Sequence, residues 1–227
     1  MNIVAIIPAR MNSSRFPGKP LEKIHGMPMI GHCLLRTQLC EELSGCYVAT
    51  CDKEIYDYII SIGGKAVMTS DSHERASDRA AEAMIHIEKS TGKEIDIVVM
   101  VQGDEPMIKP SMIEESLSPF SDPLVQVVNL MAKIETPEEF EDPNEVKVVV
   151  DNKSNAIYFS REAIPSRKKG TEDVPMLKQV CIIPFRREYL LKFNGSNHLA
   201  ATAFSVVSNI PRPVSGVLEP IGLAGRS

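Results

Sequence analysis

Ile97-Val98-Val99-Met100-Val101, followed at once by Gln102-Gly103-Asp104-Glu105-Pro106, is the stretch on which the fold turns. A short apolar run rich in β-branched side chains reads as a strand buried on both faces, the kind that parallel sheets use. Open α/β sheets bind ligands beyond the carboxyl ends of their strands. Asp104 therefore stands where such a sheet places a metal-binding carboxylate. Working outward, Ile3-Val4-Ala5-Ile6-Ile7 reads as a second buried strand. It runs into a loop, Pro8 to Pro20, that carries Arg10, Arg15 and Lys19 and no acid. A cationic loop after one strand and a carboxylate after another suit a magnesium–triphosphate complex, so the chain reads as a nucleotide-handling enzyme.

Helices and strands alternate around these two runs. Helices are expected from Met29 to Leu43, Glu54 to Ile62 (closed by Gly63-Gly64), Ser77 to Lys89 and Ser111 to Leu117. Strands are expected at 46–50, 65–69 and 124–131. This βαβ rhythm implies an α/β fold with a mixed, mostly parallel sheet flanked by helices. After Asn144 the pattern changes. The runs 146–150, 156–159 and 180–183 read as strands without helices between them, a small strand-rich excursion over about 145–190.

With 227 residues, 43% of them hydrophobic, the chain can bury one domain plus that excursion. The net charge of −5, with the cations gathered in one loop, argues against a nucleic-acid partner. No apolar run approaches the roughly 20 residues of a membrane helix, and no signal peptide is recognisable at the N-terminus, so a cytoplasmic protein without a membrane partner is expected. The cysteines Cys33, Cys40, Cys46, Cys51 and Cys181 are odd in number and contain no C-x-x-C pair. That argues against a zinc site or a disulfide framework and for small buried side chains in a reducing compartment.

The loop has the chemistry that a triphosphate needs. Arginine offers forked donors, lysine a mobile charge, and Ser13, Ser14 and backbone N–H groups complete the set. Pro17-Gly18 turns the chain so that Lys19 points back. The spacing is not that of a P-loop. The full set of motifs is more telling. Pro8-Ala9-Arg10-x-x-Ser13-x-Arg15-x-Pro17-Gly18-Lys19-Pro20-Leu21, Ile24-x-Gly26-x-Pro28-Met29-Ile30-x-His32, Val48-Ala49-Thr50-x-Asp52, Gln102 to Ile108, Glu145 to Val149 and Tyr158-Phe159-Ser160-Arg161-x-x-Ile164-Pro165 occur in this order. Together they closely resemble the 3-deoxy-manno-octulosonate cytidylyltransferase family (CMP-Kdo synthetases) over residues 3 to 193.

The resemblance implies a nucleotide-diphospho-sugar transferase type of fold and a reaction of CTP with a 2-keto-3-deoxy sugar acid, giving CMP-sugar and pyrophosphate for lipopolysaccharide or capsule synthesis. It implies Arg10, Arg15, Lys19 and Asp104 as the catalytic group, with Mg²⁺ on Asp104. It implies nucleotide contacts from Pro8, Ala9, Arg10, Ser14, Arg15, Lys19, Thr69, Ser77 and Arg79, and sugar contacts from Gln102 and Gln179. It also implies a homodimer formed through the excursion.

Three departures from the family bear on function. In His73 to Arg79, Ala76-Ser77 stand where the family has Gly-Thr, and Ser77 reads as a helix N-cap. In Leu177 to Arg186, Gln179 replaces a histidine and Ile183 and Phe185 replace tyrosines. That leaves room for an amino-substituted octulosonate or a nonulosonate as the sugar. Residues 1–194 are expected to form the nucleotidyltransferase domain, and 195–227 an atypical tail, replaced or disordered. The family's terminal Glu-rich helix and second metal-binding Asp are missing there, and the last Asp of the chain is Asp173. A relative that binds nucleotide but turns over weakly is the alternative that this tail favours.

Overall fold

The computed structural model describes residues 1–12, 16–167 and 174–195, and the backbone alone of 204–208. In chain order, β1 (Ile3–Ala9) leads to a tight hairpin of β2 (Lys23–Ile24) and β3 (Met27–Pro28). Then come α1 (Met29–Thr37), β4 (Gly45–Thr50), α2 (Lys53–Ser61), β5 (Ala66–Met68), α3 (Ala76–Thr91), β6 (Ile97–Val101) and α4 (Pro110–Leu117). The strands β5-β4-β1-β6 lie side by side and all run parallel. β1 lies between β4 and β6, the residues of β1 and β6 are apolar on both faces, and Ile6, Ile7, Ile97, Val98 and Val99 are fully buried.

The helices show their burial in their spacing. On α2, Ile55 and Ile59 are buried one turn apart, while Lys53 and Asp57 pair across the solvent face at 2.7 Å. On α3, Ala80, Ala83, Met84 and Ile87 form the buried stripe, and Gly92 ends the helix at φ 67°. α1 stops at Thr37, short of the expected Leu43. The Thr37 hydroxyl donates to the Cys33 carbonyl at 2.7 Å, and the chain tightens into i→i+3 turns through Cys40. The hairpin turn has His25 and Gly26 both at positive φ, the geometry that matches strand twist.

Residues 1–110 form one compact unit, and from Ser111 the chain forms a second. The second unit contains β7 (Val127–Lys133), α5 (Pro137–Glu141), β8 (Lys147–Val150), β9 (Ala156–Ser160), β10 (Leu177–Val180), β11 (Ile182–Arg186), α6 (Arg187–Gly195) and β12 (Phe204–Ser208). β7 is antiparallel to β10 and β11, β8 is antiparallel to β9 and β10, and β12 is parallel to β7. The α/β class and the mixed sheet with flanking helices are thus as expected. The run expected as one strand across 180–183 is interrupted at Cys181. Apart from the backbone of β12, the tail after Gly195 lies outside the described residues.

Two lysines lie inside the second unit. Lys147 is fully buried, and its ammonium donates to the carbonyls of Asp142, Glu145 and Arg161. Lys178 is 2% exposed and pairs with Glu139 at 2.6 Å and Glu145 at 2.8 Å. A buried charge persists only when paired and hydrogen-bonded, and both lysines meet that condition. In sequence Lys147 looks like a single polar interruption of an apolar strand, and Lys178 lies outside the strand expected at 180–183.

Candidate active site

The carboxyl ends of β1 and β6 and the start of α3 surround a cavity of about 290 Å³ in the first unit. Its walls are Pro8, Ala9 and Arg10; Lys19, Pro20 and Met29; His73 to Ala76 with Arg79; and Gln102, Gly103 and Asp104. Gly103 makes this closeness possible. A Cβ there would lie 2.9 Å from the Pro8 carbonyl oxygen and 3.2 Å from Ile30 Cδ1. Only glycine lets the chain leaving β6 rest against the end of β1.

The cationic wall faces one carboxylate. Lys19 Nζ lies 2.8 Å from Asp104 Oδ2, with the two side chains 40% and 44% exposed. Such an open pair contributes at most about 1 kcal/mol, so it yields readily to phosphate or a metal ion. Gly18, at φ 80°, turns the chain into the single 3-10 turn that begins with Lys19. The Gly18 N–H donates to the Met11 carbonyl at 2.9 Å. The Met11 N–H in turn donates to Asp52 Oδ2 at 2.8 Å. Asp52 is not a lining residue, and its role was not evident in the sequence.

The wall from Thr69 to Glu82 is built differently. Arg79 is 3% exposed, its Nη1 donates to Thr69 Oγ1 at 2.5 Å, and its buried Nη2 has no partner among the described residues. An unmatched buried guanidinium N–H at a cavity is a ready hook for a ligand carbonyl or phosphate. Glu82 accepts from the Ser70 N–H at 2.9 Å and from the His73 ring, so it fixes the segment that carries the lining residues 73–76. Burial opposes its ionisation, but the Ser70 N–H, the His73 bond and the charges of His73 and His86 outweigh it, and the Glu82 carboxyl falls below its usual range. Neither His73, which lines the cavity, nor Glu82, which holds it, was singled out from sequence.

Ser77 corrects one expectation. It does not cap α3, because the helix begins at Ala76 and Arg75 holds the cap position without a side-chain cap bond. Arg75 instead ties the first turn by a forked pair to Asp78, both bonds 2.9 Å, with the acid placed where the helix dipole favours it. Ser77 is 6% exposed within that turn.

Of the remaining candidates, Pro8, Ala9, Arg10, Lys19, Arg79, Gln102 and Asp104 share the cavity, and Thr69 supports Arg79. Ser14 and Arg15 lie outside the described residues. Gln179 is in the second unit, where a relay fixes its polarity. Asn129 Nδ2 donates to the Leu130 carbonyl at 2.8 Å, so Asn129 Oδ1 is left to accept, and Gln179 Nε2 donates to it at 2.7 Å. Among the described residues the Gln179 amide thus keeps Oε1 as an acceptor and one N–H as a donor.

The rest of the chemistry is constrained by what is near. The five cysteines are thiols, three of them buried, and burial pushes the Cys33 thiol up to about 12, which removes it as a nucleophile. No group of three or more His, Cys, Asp or Glu side chains that could hold a metal ion occurs among the described residues. Asp104 offers one hard oxygen ligand beside a lysine. That fits an ion carried in by phosphate oxygens and water rather than held in a protein cage.

The model of a family described as "Cytidylyltransferase" matches residues 4–198. The chain belongs to the cytidylyltransferase family. It is 40% identical over 204 residues to the 3-deoxy-manno-octulosonate cytidylyltransferase of Trichlorobacter lovleyi, covering 85% of this chain and 79% of the relative. It is 41% identical over 195 residues to the 8-amino-3,8-dideoxy-manno-octulosonate cytidylyltransferase of Shewanella piezotolerans, covering 85% and 78%. Among solved structures, it resembles a CMP:2-keto-3-deoxy-manno-octonic acid synthetase complexed with CTP, at TM-score 0.78 and 38% identity over 88% of this chain and 80% of that one. The 4-diphosphocytidyl-2C-methyl-D-erythritol synthase of Anaerococcus prevotii, at TM-score 0.53 and 13% identity over 87% and 78%, shares the fold. As a cytidylyltransferase, the chain is an enzyme that uses CTP, and the cavity at the strand ends is where this fold places its ligands.

Proposed function

We propose that this cytidylyltransferase activates a 2-keto-3-deoxy octulosonate with CTP, giving the CMP-sugar and pyrophosphate, for lipopolysaccharide or capsule synthesis. The observation that supports it most is the gathering of Arg10, Lys19, Arg79, Gln102 and Asp104 around one cavity, in a chain about 40% identical to octulosonate cytidylyltransferases. In the reaction the sugar's anomeric hydroxyl attacks the α-phosphorus and loses its proton to water, the bond to the bridging oxygen breaks, and pyrophosphate leaves with the electron pair. Such a step asks for charge neutralisation and in-line placement rather than a covalent intermediate.

Arg10 and Lys19 supply mobile positive charge along the triphosphate, and Ser14 and Arg15 belong to the same loop. Pro8, Ala9, Thr69, Ser77 and Arg79 would form and support the base pocket, with the spare Arg79 N–H as a donor to it. Asp104 would hold one position of a Mg²⁺ ion, which screens the phosphate charge when bound. Gln102 would meet the acidic sugar.

A second sugar is favoured by the relatives, since the chain is 41% identical over 195 residues to an 8-amino-3,8-dideoxy-manno-octulosonate cytidylyltransferase. The Oε1 of Gln179, held in place by the Asn129 relay, could accept from a sugar bearing a protonated amine. An 8-amino-3,8-dideoxy octulosonate is such a substrate. A homodimer is supported by β9, where Ile157 and Tyr158 are each 62% exposed. A cytoplasmic site is supported by the five cysteines being thiols.

The test is pyrophosphate release with CTP, Mg²⁺ and a panel of the octulosonate, its 8-amino form and a nonulosonate. Release with either octulosonate and not with the nonulosonate is expected. Release with the nonulosonate alone, or with none of the three while CTP still binds, would overturn the substrate assignment.

A further inference from the structure

We propose that Asp52, which does not line the cavity, is a positioning residue that sets the aim of both Arg10 and Lys19. It rests on the reading of those two side chains as triphosphate ligands. Asp52 occupies the N-cap position of α2, where an aspartate ordinarily turns onto its own helix. Here it makes no side-chain cap bond. Its Oδ2 accepts the Met11 N–H at 2.8 Å instead, across 41 residues of sequence.

Met11 is thereby held at both of its backbone groups. Its N–H is taken by Asp52, which fixes the peptide plane joining it to Arg10. Its carbonyl is taken by the Gly18 N–H at 2.9 Å, and Gly18 at φ 80° launches the turn that starts at Lys19. One carboxylate oxygen therefore controls the residue before the loop and the residue after it. Asp52 is itself well placed to do so. Its N–H donates to Thr50 Oγ1 at 3.1 Å, Thr50 is fully buried, and the Cys51 thiol lies 3.6 Å from the same Oδ2.

A negative charge beside a wall that receives a triphosphate is electrostatically unhelpful. The value of Asp52 must then lie in where its acceptor oxygen sits and not in its charge. Two variants separate these ideas. Asp52→Asn keeps an acceptor in place and drops the charge. Asp52→Glu keeps the charge and moves the acceptor by one methylene.

CTP and CMP binding would be measured by calorimetry on the full chain, with KM and kcat alongside, for Asp52→Ala, Asp52→Asn, Asp52→Glu and Lys19→Ala. Asp52→Ala and Asp52→Glu should weaken CTP by about tenfold or more and raise KM, with CMP changed by less than about twofold. Asp52→Asn should return CTP binding to within about threefold of the parent chain. Equal losses of CTP and CMP, or an Asn variant no better than the Glu variant, would overturn the proposal. The Asn and Glu pair decides the matter even where the Ala variant does not fold. If Lys19→Ala also leaves CTP binding unchanged, the triphosphate assignment fails with it. If Lys19→Ala weakens CTP and the Asp52 variants do not, the positioning role alone is wrong.

Discussion

Two charge clusters, one in each unit, are built in opposite ways. In the first, Lys19 and Asp104 meet at 2.8 Å but stay 40% and 44% exposed, and Arg10 stands exposed beside them. In the second, Lys147 and Lys178 are almost wholly buried, and each ammonium is surrounded by carbonyl or carboxylate oxygens. Saturated charges hold a fold together. Charges left open and lightly paired can still be used on a ligand, because little has to be broken first.

The largest expected effect comes from breaking a saturated charge. Lys178→Ala leaves Glu139 and Glu145 without their shared cation and should lower stability by about 3–5 kcal/mol in chemical denaturation. A loss below about 1 kcal/mol would mean that the second unit's charges are no more essential than the first's.

Breaking an open charge should do the reverse. Asp104→Asn should cost a hundredfold or more in turnover, roughly 3 kcal/mol of transition-state stabilisation, while the melting temperature stays within about 3 °C of the parent chain. Unchanged Mg²⁺ dependence in that variant would make Asp104 a structural residue. Gly103→Ala tests the backbone approach that forms the cavity. Its Cβ must displace the Pro8 carbonyl, so an overpacking cost of about 1–3 kcal/mol and weaker nucleotide binding are expected together. Normal CTP affinity in a destabilised variant would separate the two.

Smaller effects sharpen the contrast between the walls. CTP should be preferred to UTP by at least about tenfold, or roughly 1.4 kcal/mol, if the Thr69 to Arg79 wall reads the base. Indifference in a competition assay would remove the base pocket from that wall. Glu82→Gln should cost about 1 kcal/mol at neutral pH. Its carboxyl is more acidic folded than unfolded. Its contribution is therefore complete above the unfolded pKa of about 4.3 and fades as pH falls through the lower folded value. Parent and Glu82→Gln chains should converge in stability on strong acidification, and a gap that widens there would reverse the sign.

Much of this was legible in sequence because it is local. The apolar runs 3–7 and 97–101 read as buried strands, and Asp104 and the cations of the first loop follow them directly. What stayed hidden depends on distant pairing. Asp52 gains its role from an amide 41 residues away, and Glu82 from Ser70 and His73 on the strand-to-helix connection. The buried lysines carry no local signal of burial, which appears only when β8 and β10 pair and bring Glu139 and Glu145 to Lys178. The early end of α1 was hidden too, since after Thr37 the backbone of Leu39 and Cys40 tightens into i→i+3 turns.

The most direct test of the open-charge reading is calorimetric titration of Lys19→Ala with CTP and with CMP in the presence of Mg²⁺. A loss of about tenfold or more for CTP, with CMP changed by less than about twofold, is expected if Lys19 meets the outer phosphates. Equal losses for the two nucleotides, or none for either, would contradict it.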